Sequence, residues 1–329
     1  MKALVVEKIA DKEFSTEVRE LSMPKCGDNE VIIKVNYSSL NYKDALSSAG
    51  NPGVTRNFPH ITGIDLAGEI YESKSPIFKA GERVLVTGYD LGMNTDGGHA
   101  QYVKVPSSWV ARTPDAITDK EIMTFGTAGL TAALSINELI DNGVKAENGA
   151  ILVTGATGGV GSIAVSILSK IGYKVVAISG KSEKVDYLKR IGASEVILRD
   201  EFNEESSKRP LLGEKYAGVV DTVGGEVLAN ALKLIKYDGV ATCCGLTSSH
   251  ELNTNVFPFI LRGVRLIGID SVECKLEKKQ AAWEKIASKW KIEDLKNITN
   301  EIALDEVKKA YELLLEGKAV GRYVVKISD

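Results

Sequence analysis

The segment Ala150-Ile-Leu-Val-Thr-Gly-Ala-Thr-Gly-Gly-Val-Gly-Ser162 holds the residues best suited to bind a charged ligand. Ala156-x-Gly158-x-x-Gly161 is a G-x-G-x-x-G fingerprint whose first glycine is alanine. Small residues are what a pyrophosphate turn requires. Gly158 lets the backbone approach the anion, and Gly161 lets a helix pack close to a strand. The helix N-terminus then offers free N–H groups and the positive end of its dipole. Ala156, Thr157, Gly158, Gly159, Val160 and Gly161 are therefore the expected cofactor turn. A phosphate loop of the nucleotide triphosphatases is excluded, because no Gly-Lys-Ser/Thr follows to reach phosphate and metal.

The flanks supply the context that this fingerprint needs. Ile151–Val153 is apolar and β-branched. From Val160 to Ile171 the apolar residues recur at helical spacing, and Gly172 reads as the stop. Lys174–Ile178 reads as a second strand, ending Ser179-Gly180-Lys181 without a carboxylate. An NAD site places an acid there for the ribose hydroxyls. A hydroxyl and an ammonium suit a 2′-phosphate instead, so Ser179, Gly180, Lys181 and, after the next strand, Arg199 point to NADPH. Each charge-assisted bond is worth roughly 1.5–3 kcal/mol.

Composition bounds the class. The chain has 329 residues, 44% hydrophobic and 26% charged, with a formal net charge of −3. That is a globular protein of about two domains. The charge points to neither nucleic acid nor a membrane surface. No apolar run reaches spanning length, and Met1–Glu7 reads as a first strand rather than a signal peptide. A cytoplasmic protein is expected. Cys26, Cys243, Cys244 and Cys274 form no C-x-x-C pair, and buried free thiols are expected. His60, His99 and His250 are far apart, so no metal is expected and each histidine reads as a surface or loop residue.

The elements that must position the turn follow from periodicity. Met1–Glu7, Glu30–Tyr37, Asp65–Tyr71, Arg83–Gly88 and Gln101–Pro106 read as strands broken by turns. Between Ala150 and Asp270 strands and helices alternate, with strands at Ile151–Thr154, Lys174–Ile178, Glu195–Leu198, Gly218–Thr222, Val240–Cys243 and Arg265–Asp270. The charged stretch Asp200–Glu214 reads as a loop. The tail shows helices near Lys278–Trp290 and Asp305–Glu316, then a strand at Tyr323–Ile327. The fold class is α/β: a Rossmann doubly wound parallel sheet beside a β-rich unit, with the cofactor expected in the cleft between them.

Phe125-Gly-Thr-Ala-Gly-Leu-Thr-Ala132, together with this order of units, resembles the medium-chain dehydrogenase/reductase superfamily. Ser38–Ala45, Arg56–Pro59, Gly63-Ile-Asp65, Pro258–Arg262 and Gly268–Val272 resemble its subgroup of acrylyl-CoA reductases and quinone oxidoreductase relatives. The resemblance implies a GroES-like catalytic domain over 1–122, a Rossmann NADP-binding domain over 123–272 and a C-terminal segment, 273–329, returning to the catalytic domain. It also implies a homodimer. Zinc alcohol dehydrogenases carry a cysteine near Asn41/Tyr42 and Gly-His-Glu where this chain reads Gly63-Ile64-Asp65, so the resemblance implies zinc-independent chemistry. Without a Lewis acid, conjugated acceptors such as quinones and enoyl thioesters are the expected substrates.

Asn41, Tyr42 and Asp44 are the catalytic candidates: an amide to orient a carbonyl and a phenol to donate to an oxyanion or to the cofactor. The same residues could form a helix start, with Asn41 as cap and Asp44 as first-turn acid. By resemblance Thr127 and Thr131 line the nicotinamide, Leu246, Ile260 and Ser271 touch the cofactor, and Arg322 reaches it from the C-terminal segment. Lys43, Arg56 and Arg262 are cations open to substrate phosphates. A non-catalytic NADPH-binding redox sensor and a zinc-type alcohol dehydrogenase are the competing readings. The turn at Asn41–Asp44 opposes the first and the absent ligands oppose the second.

Overall fold

The computed structural model describes residues 1–328. The chain forms two compact units: Met1–Thr127 with Ser271–Ser288 and Thr299–Asp329, and Ala128–Asp270 with Lys289–Ile298.

The first unit opens with β1 (Lys2–Ala10), β2 (Glu13–Glu20), β3 (Glu30–Ser39), α1 (Tyr42–Ser48), β4 (His60–Ile61) and β5 (Asp65–Ser73). It continues with β6 (Arg83–Thr87), β7 (Tyr102–Pro106), β8 (Ala111–Arg112) and the first turns of α2 (Asp119–Asp141). The second unit contains β9 (Ala150–Val153), α3 (Gly159–Lys170), β10 (Val175–Ser179), α4 (Val185–Arg190), β11 (Glu195–Leu198) and α5 (Arg199–Ser206). It closes with β12 (Tyr216–Asp221), α6 (Gly225–Leu232), β13 (Ile235–Cys243), α7 (Phe257–Arg262) and β14 (Arg265–Gly268). The chain then adds α8 (Leu276–Ala287), β15 (Thr299–Ala303), α9 (Val307–Leu315) and β16 (Arg322–Lys326) to the first unit.

The second unit is a parallel sheet in the order β11-β10-β9-β12-β13-β14. Numbered within the unit this is 3-2-1-4-5-6, the doubly wound dinucleotide order. Its central strand β12 is buried at every residue, as a strand covered on both faces must be. The order reverses between β9 and β12, so the carboxyl ends of these two strands flank the crevice where such sheets bind ligands.

The first unit is a GroES-like β structure. One sheet runs β2-β1-β4, and a second runs β15-β16-β3-β5-β6-β8 with β7 also on β3. Val31, Ile33 and Val35 of β3 pack with Leu66, Val84, Val86, Val103 and Val105 in its core. Leu40 and Ala45, around the start of α1, pack on Val307, Ala310 and Tyr311 of α9.

Several expectations need correction. The boundary falls after Thr127, not at 122/123, because Thr127 is hydrogen-bonded to Asp65 of β5. Lys289–Ile298 belongs to the second unit, where Glu293 pairs with Lys170. Within the stretch read as a loop, α5 is helical, and only Phe202 and Ser206 of it are buried. The cysteines are not uniformly buried: Cys26 is, and the other three are half-buried.

Candidate functional site

In the second unit the glycine turn joins β9 to α3. Gly155 adopts φ 57°, and a Cβ there would strike Thr222 and Val223. Only glycine fits so close to the start of the β12 loop. A Cβ on Gly161 would lie 2.7 Å from the Cα of Ala156 and strike the carbonyl of Gly155. The helix therefore starts hard against the turn, with Gly158 as its extended N-cap. Ala156 and Thr157 are buried, while Gly158, Gly159 and Val160 are partly open.

A polar rivet missed by sequence reasoning holds this crevice. Thr154 Oγ1 donates to Asp221 Oδ1 at 2.7 Å, and Asp221 Oδ2 accepts from Gly224 N at 2.8 Å. Thr222 Oγ1 donates to the Thr154 carbonyl at 2.8 Å. Burial pushes the Asp221 carboxyl above the usual range, and the hydrogen bonds oppose that shift. A lone Asp at the end of an apolar strand was the only signal of it.

The corner after β10 brings four expected residues together. Ser179 Oγ accepts from Lys181 N at 3.0 Å. The Arg199 guanidinium stands over Gly180, where a Cβ would come within 3.3 Å of its Nη1. Arg199 also pairs through Nε with Asp200, a solvent-exposed contact of small weight. Burial lowers the Lys181 ammonium from its usual value. At the ends of β13 and β14, Cys243–Leu246 and Gly268–Asp270 line a cavity of ≈ 510 Å³. Leu246 is 62% exposed at its rim. Ile260 is 68% exposed on α7 and is not among the lining residues. Thr131 is buried on α2.

In the first unit the expected residues converge on Asp65, which the sequence reading named within the Gly63-Ile-Asp65 motif but not as a site residue. Its Oδ2 accepts from Ser39 Oγ at 2.6 Å, Asn41 Nδ2 at 2.7 Å and Thr127 N at 2.8 Å. Its Oδ1 accepts from Thr127 Oγ1. Arg322 Nη2 donates to Ser39 Oγ at 2.8 Å and Nη1 to the Leu40 carbonyl at 3.0 Å. Nη1 also lies 3.4 Å from Asn41 Oδ1, and Nε donates to the Thr124 carbonyl at 2.9 Å. Ser39 Oγ thus links the guanidinium to the carboxylate.

Two site assignments change on this geometry. Arg322 is only 3% exposed, and its donors are directed at protein acceptors, so it holds the first unit together rather than reaching a cofactor. Asp44 is fully buried, with Oδ2 on Asn41 N and Oδ1 on Ile64 N, both at 2.8 Å. It caps α1 and offers no oxygen to a substrate. Tyr42, the first residue of α1, is 39% exposed and is the open member of the trio. Ser271 is buried in the first unit. Arg262 spends its guanidinium on the carbonyls of Lys233, Ile235 and Leu212 and is not open to substrate phosphates. Arg56 is exposed, with Nε on the Pro52 carbonyl, and Lys43 is partly exposed.

The histidines at 60 and 99 are buried, not surface residues. His99 Nδ1 lies 2.9 Å from Tyr311 Oη and 3.0 Å from Thr62 Oγ1, and His60 Nε2 lies 2.7 Å from Ser47 Oγ. Burial holds both rings neutral, lowered to about 4. Burial and then the charge of Asp65 raise the Asp44 carboxyl to about 7. Among the described residues no three His, Cys, Asp or Glu side chains group as a metal ion requires, and no helix is long and apolar enough to cross a membrane.

A model described as zinc-binding dehydrogenase matches residues 159–288. One described as alcohol dehydrogenase GroES-like domain matches residues 27–115. "Putative quinone oxidoreductase YhfP" of Bacillus subtilis is 44% identical over 326 residues, covering 99% of this chain and 98% of its own. Its crystal structure with NAD bound aligns with a TM-score of 0.95 over 99% of both chains. An acrylyl-CoA reductase of Ruegeria pomeroyi is 39% identical over 99% of both chains. An oxidoreductase of Salmonella enterica in complex with NADP aligns with a TM-score of 0.95 and 39% identity, covering both chains fully.

The Asp44 shift gives a stability prediction. A carboxyl raised in the folded state favours folding in its neutral form, so its contribution is fullest below about pH 4 and is lost as pH rises to about 7. The melting temperature of the wild type minus that of Asp44→Asn should fall steadily across that window. A difference independent of pH would contradict the assignment.

Proposed function

The chain belongs to the medium-chain dehydrogenase/reductase superfamily and is an oxidoreductase, and from that premise we propose that it reduces conjugated carbonyls with NADPH and without zinc. Quinones and enoyl thioesters such as acrylyl-CoA are the proposed acceptors, as the names of its relatives suggest. The observation that carries this choice is the Asp65 knot. Where, by resemblance, the zinc dehydrogenases carry a cysteine ligand and Gly-His-Glu, this chain has the Asn41/Tyr42 region and Gly63-Ile64-Asp65. Asn41 is already hydrogen-bonded to Asp65 and close to Arg322. An amide so occupied is a poor metal ligand, and an isoleucine is none. A conjugated acceptor spreads its incoming charge over its own carbonyl and has less need of a Lewis acid.

The second unit fits a dinucleotide. Gly155 and Gly161 draw the turn close to the β12 loop and to α3, and Gly158, partly open, lets a pyrophosphate approach the N-terminus of α3. Ser179, Lys181 and Arg199 would hold a 2′-phosphate, which would also favour the charged form of Lys181. When bound, NADPH supplies the hydride. The chain's own residues orient and enclose the acceptor. The Tyr42 phenol, half-open at the head of α1, donates a hydrogen bond to the acceptor oxygen as negative charge develops on it. Asn41 and Asp44 hold that helix start in place.

We further propose a homodimer formed along β14. It is an edge strand of the sheet, and on the preceding α7 Ile260 and Leu261 are exposed. An uncovered edge beside apolar side chains favours pairing with another strand.

Loss of NADPH absorbance is expected with acrylyl-CoA or a benzoquinone after chelator treatment, and not with a simple aldehyde. No oxidation with any conjugated acceptor would overturn the proposal. The Lys181→Ala/Arg199→Ala double variant should lower the NADPH-over-NADH preference by at least about tenfold; an unchanged ratio would remove the 2′-phosphate assignment. Sedimentation should give twice the chain mass, and monomers at micromolar concentration would remove the dimer.

A further inference from the structure

We propose that Asp65 is a positioning residue: its buried carboxylate clamps the Tyr42 end of α1 and the Thr127 turn into one arrangement on which hydride transfer depends. The inference rests on the reaction proposed above. It assigns a role to a residue with no exposed surface.

One carboxylate on β5 gathers two separate pieces of chain, three residues in all. Ser39 ends β3, Asn41 precedes α1, and Thr127 lies within α2. All three donate to Asp65, which is 0% exposed. A buried carboxylate meeting four donors has no second orientation of comparable energy. Its position therefore dictates theirs.

The tether to Tyr42 is short. Asn41 immediately precedes it and is held through its own N–H by Asp44 and through Nδ2 by Asp65. Arg322 lies close to its Oδ1. The backbone at the root of the phenol is thus fixed on three sides.

The Thr127 arm is shaped by Gly126. That residue leaves the helical region, with φ 51° and ψ −156° inside α2. A Cβ there would come 2.6 Å from Ser39 Oγ and 3.0 Å from Arg322 Nη2. The break turns Thr127 so that both its N–H and its hydroxyl meet Asp65. A glycine-enabled kink that delivers two donors to one carboxylate fixes the chain more tightly than core packing requires. Small misplacements of reacting groups carry large losses in rate, on the order of a hundredfold for about 1 Å.

Asp65→Asn tests the clamp. The variant keeps the shape but aims an NH2 at donors. At saturating acceptor, kcat should fall by roughly one to two orders of magnitude, while the KM for NADPH stays within about threefold, because the turn and the cations proposed for its phosphates lie in the second unit. The isotope effect with 4,4-dideuterated NADPH should rise, since a misaligned transfer becomes rate-limiting. Partial misfolding would scale kcat and leave the isotope effect alone. Ser39→Ala, a milder change that removes the bridge to Arg322, should shift both readouts in the same direction by less. Amide hydrogen exchange reads the clamp without turnover: Thr127 should lose protection in Asp65→Asn while β3 and β5 keep theirs. An unchanged isotope effect, or a Thr127 amide as protected as in the wild type, overturns the inference. A wild type inactive with every conjugated acceptor overturns the proposed reaction instead, and exchange at Thr127 still decides whether the clamp exists.

Discussion

An ionised carboxylate removed from water must be met by donors on every side, and in this protein that requirement organises the first unit. Asp65 is satisfied by Ser39, Asn41 and both donors of Thr127, with the Arg322 charge one hydroxyl away. Desolvating such a group without partners would cost several kcal/mol. The surrounding sequence follows from avoiding that cost. Position 39 must carry a hydroxyl that donates one way and accepts the other. Position 126 must lack a side chain, and position 322 must carry a cation with several donors. The neutral histidine at 99 extends the same polar interior, with Nε2 3.4 Å from the Ser39 carbonyl.

The second unit solves a different problem, close approach. Its crevice forms where β9 and β12 part company, and the chain narrows there to glycine. Gly155 leaves no room for a Cβ against Thr222, and Gly161 none against Ala156. The Thr154–Asp221–Thr222 bonds keep the two strand ends from spreading. A tight turn of glycines and small residues at a helix N-terminus is the form that pyrophosphate recognition needs. The two units thus rest on opposite devices, one a crowded polar knot and the other glycines where a side chain would not fit.

What could be read from the sequence divides along the same line. The β9–turn–α3 element was legible because its signals are local: a β-branched run, three glycines and a helical repeat within about two dozen residues. The end of β10 at Ser179 was legible too, as the close of a short β-branched run before Gly180. The knot was not, because Arg322 and Asn41 stand 281 positions apart. Arg322 was expected at the cofactor, and nothing near it in sequence shows that its donors turn to Ser39, Leu40 and Thr124. α5 was missed because its buried stripe is only Phe202 and Ser206 among charges. β2 and β15 were missed because they are charged sheet-edge strands with no continuous apolar run. His60 and His99 carry no local sign of burial, since their partners Ser47, Thr62 and Tyr311 lie on other elements.

The account comes down to direct transfer of hydrogen from a reduced dinucleotide to the electron-poor carbon of a conjugated acceptor, within a site held by hydrogen bonds rather than by metal ligands. Mass spectrometry of the product formed from acrylyl-CoA and 4,4-dideuterated NADPH tests that most directly. The account predicts a saturated thioester carrying one deuterium on the carbon β to the carbonyl, in equal yield with and without chelator. A product free of deuterium, or one formed only after zinc is restored, would contradict it.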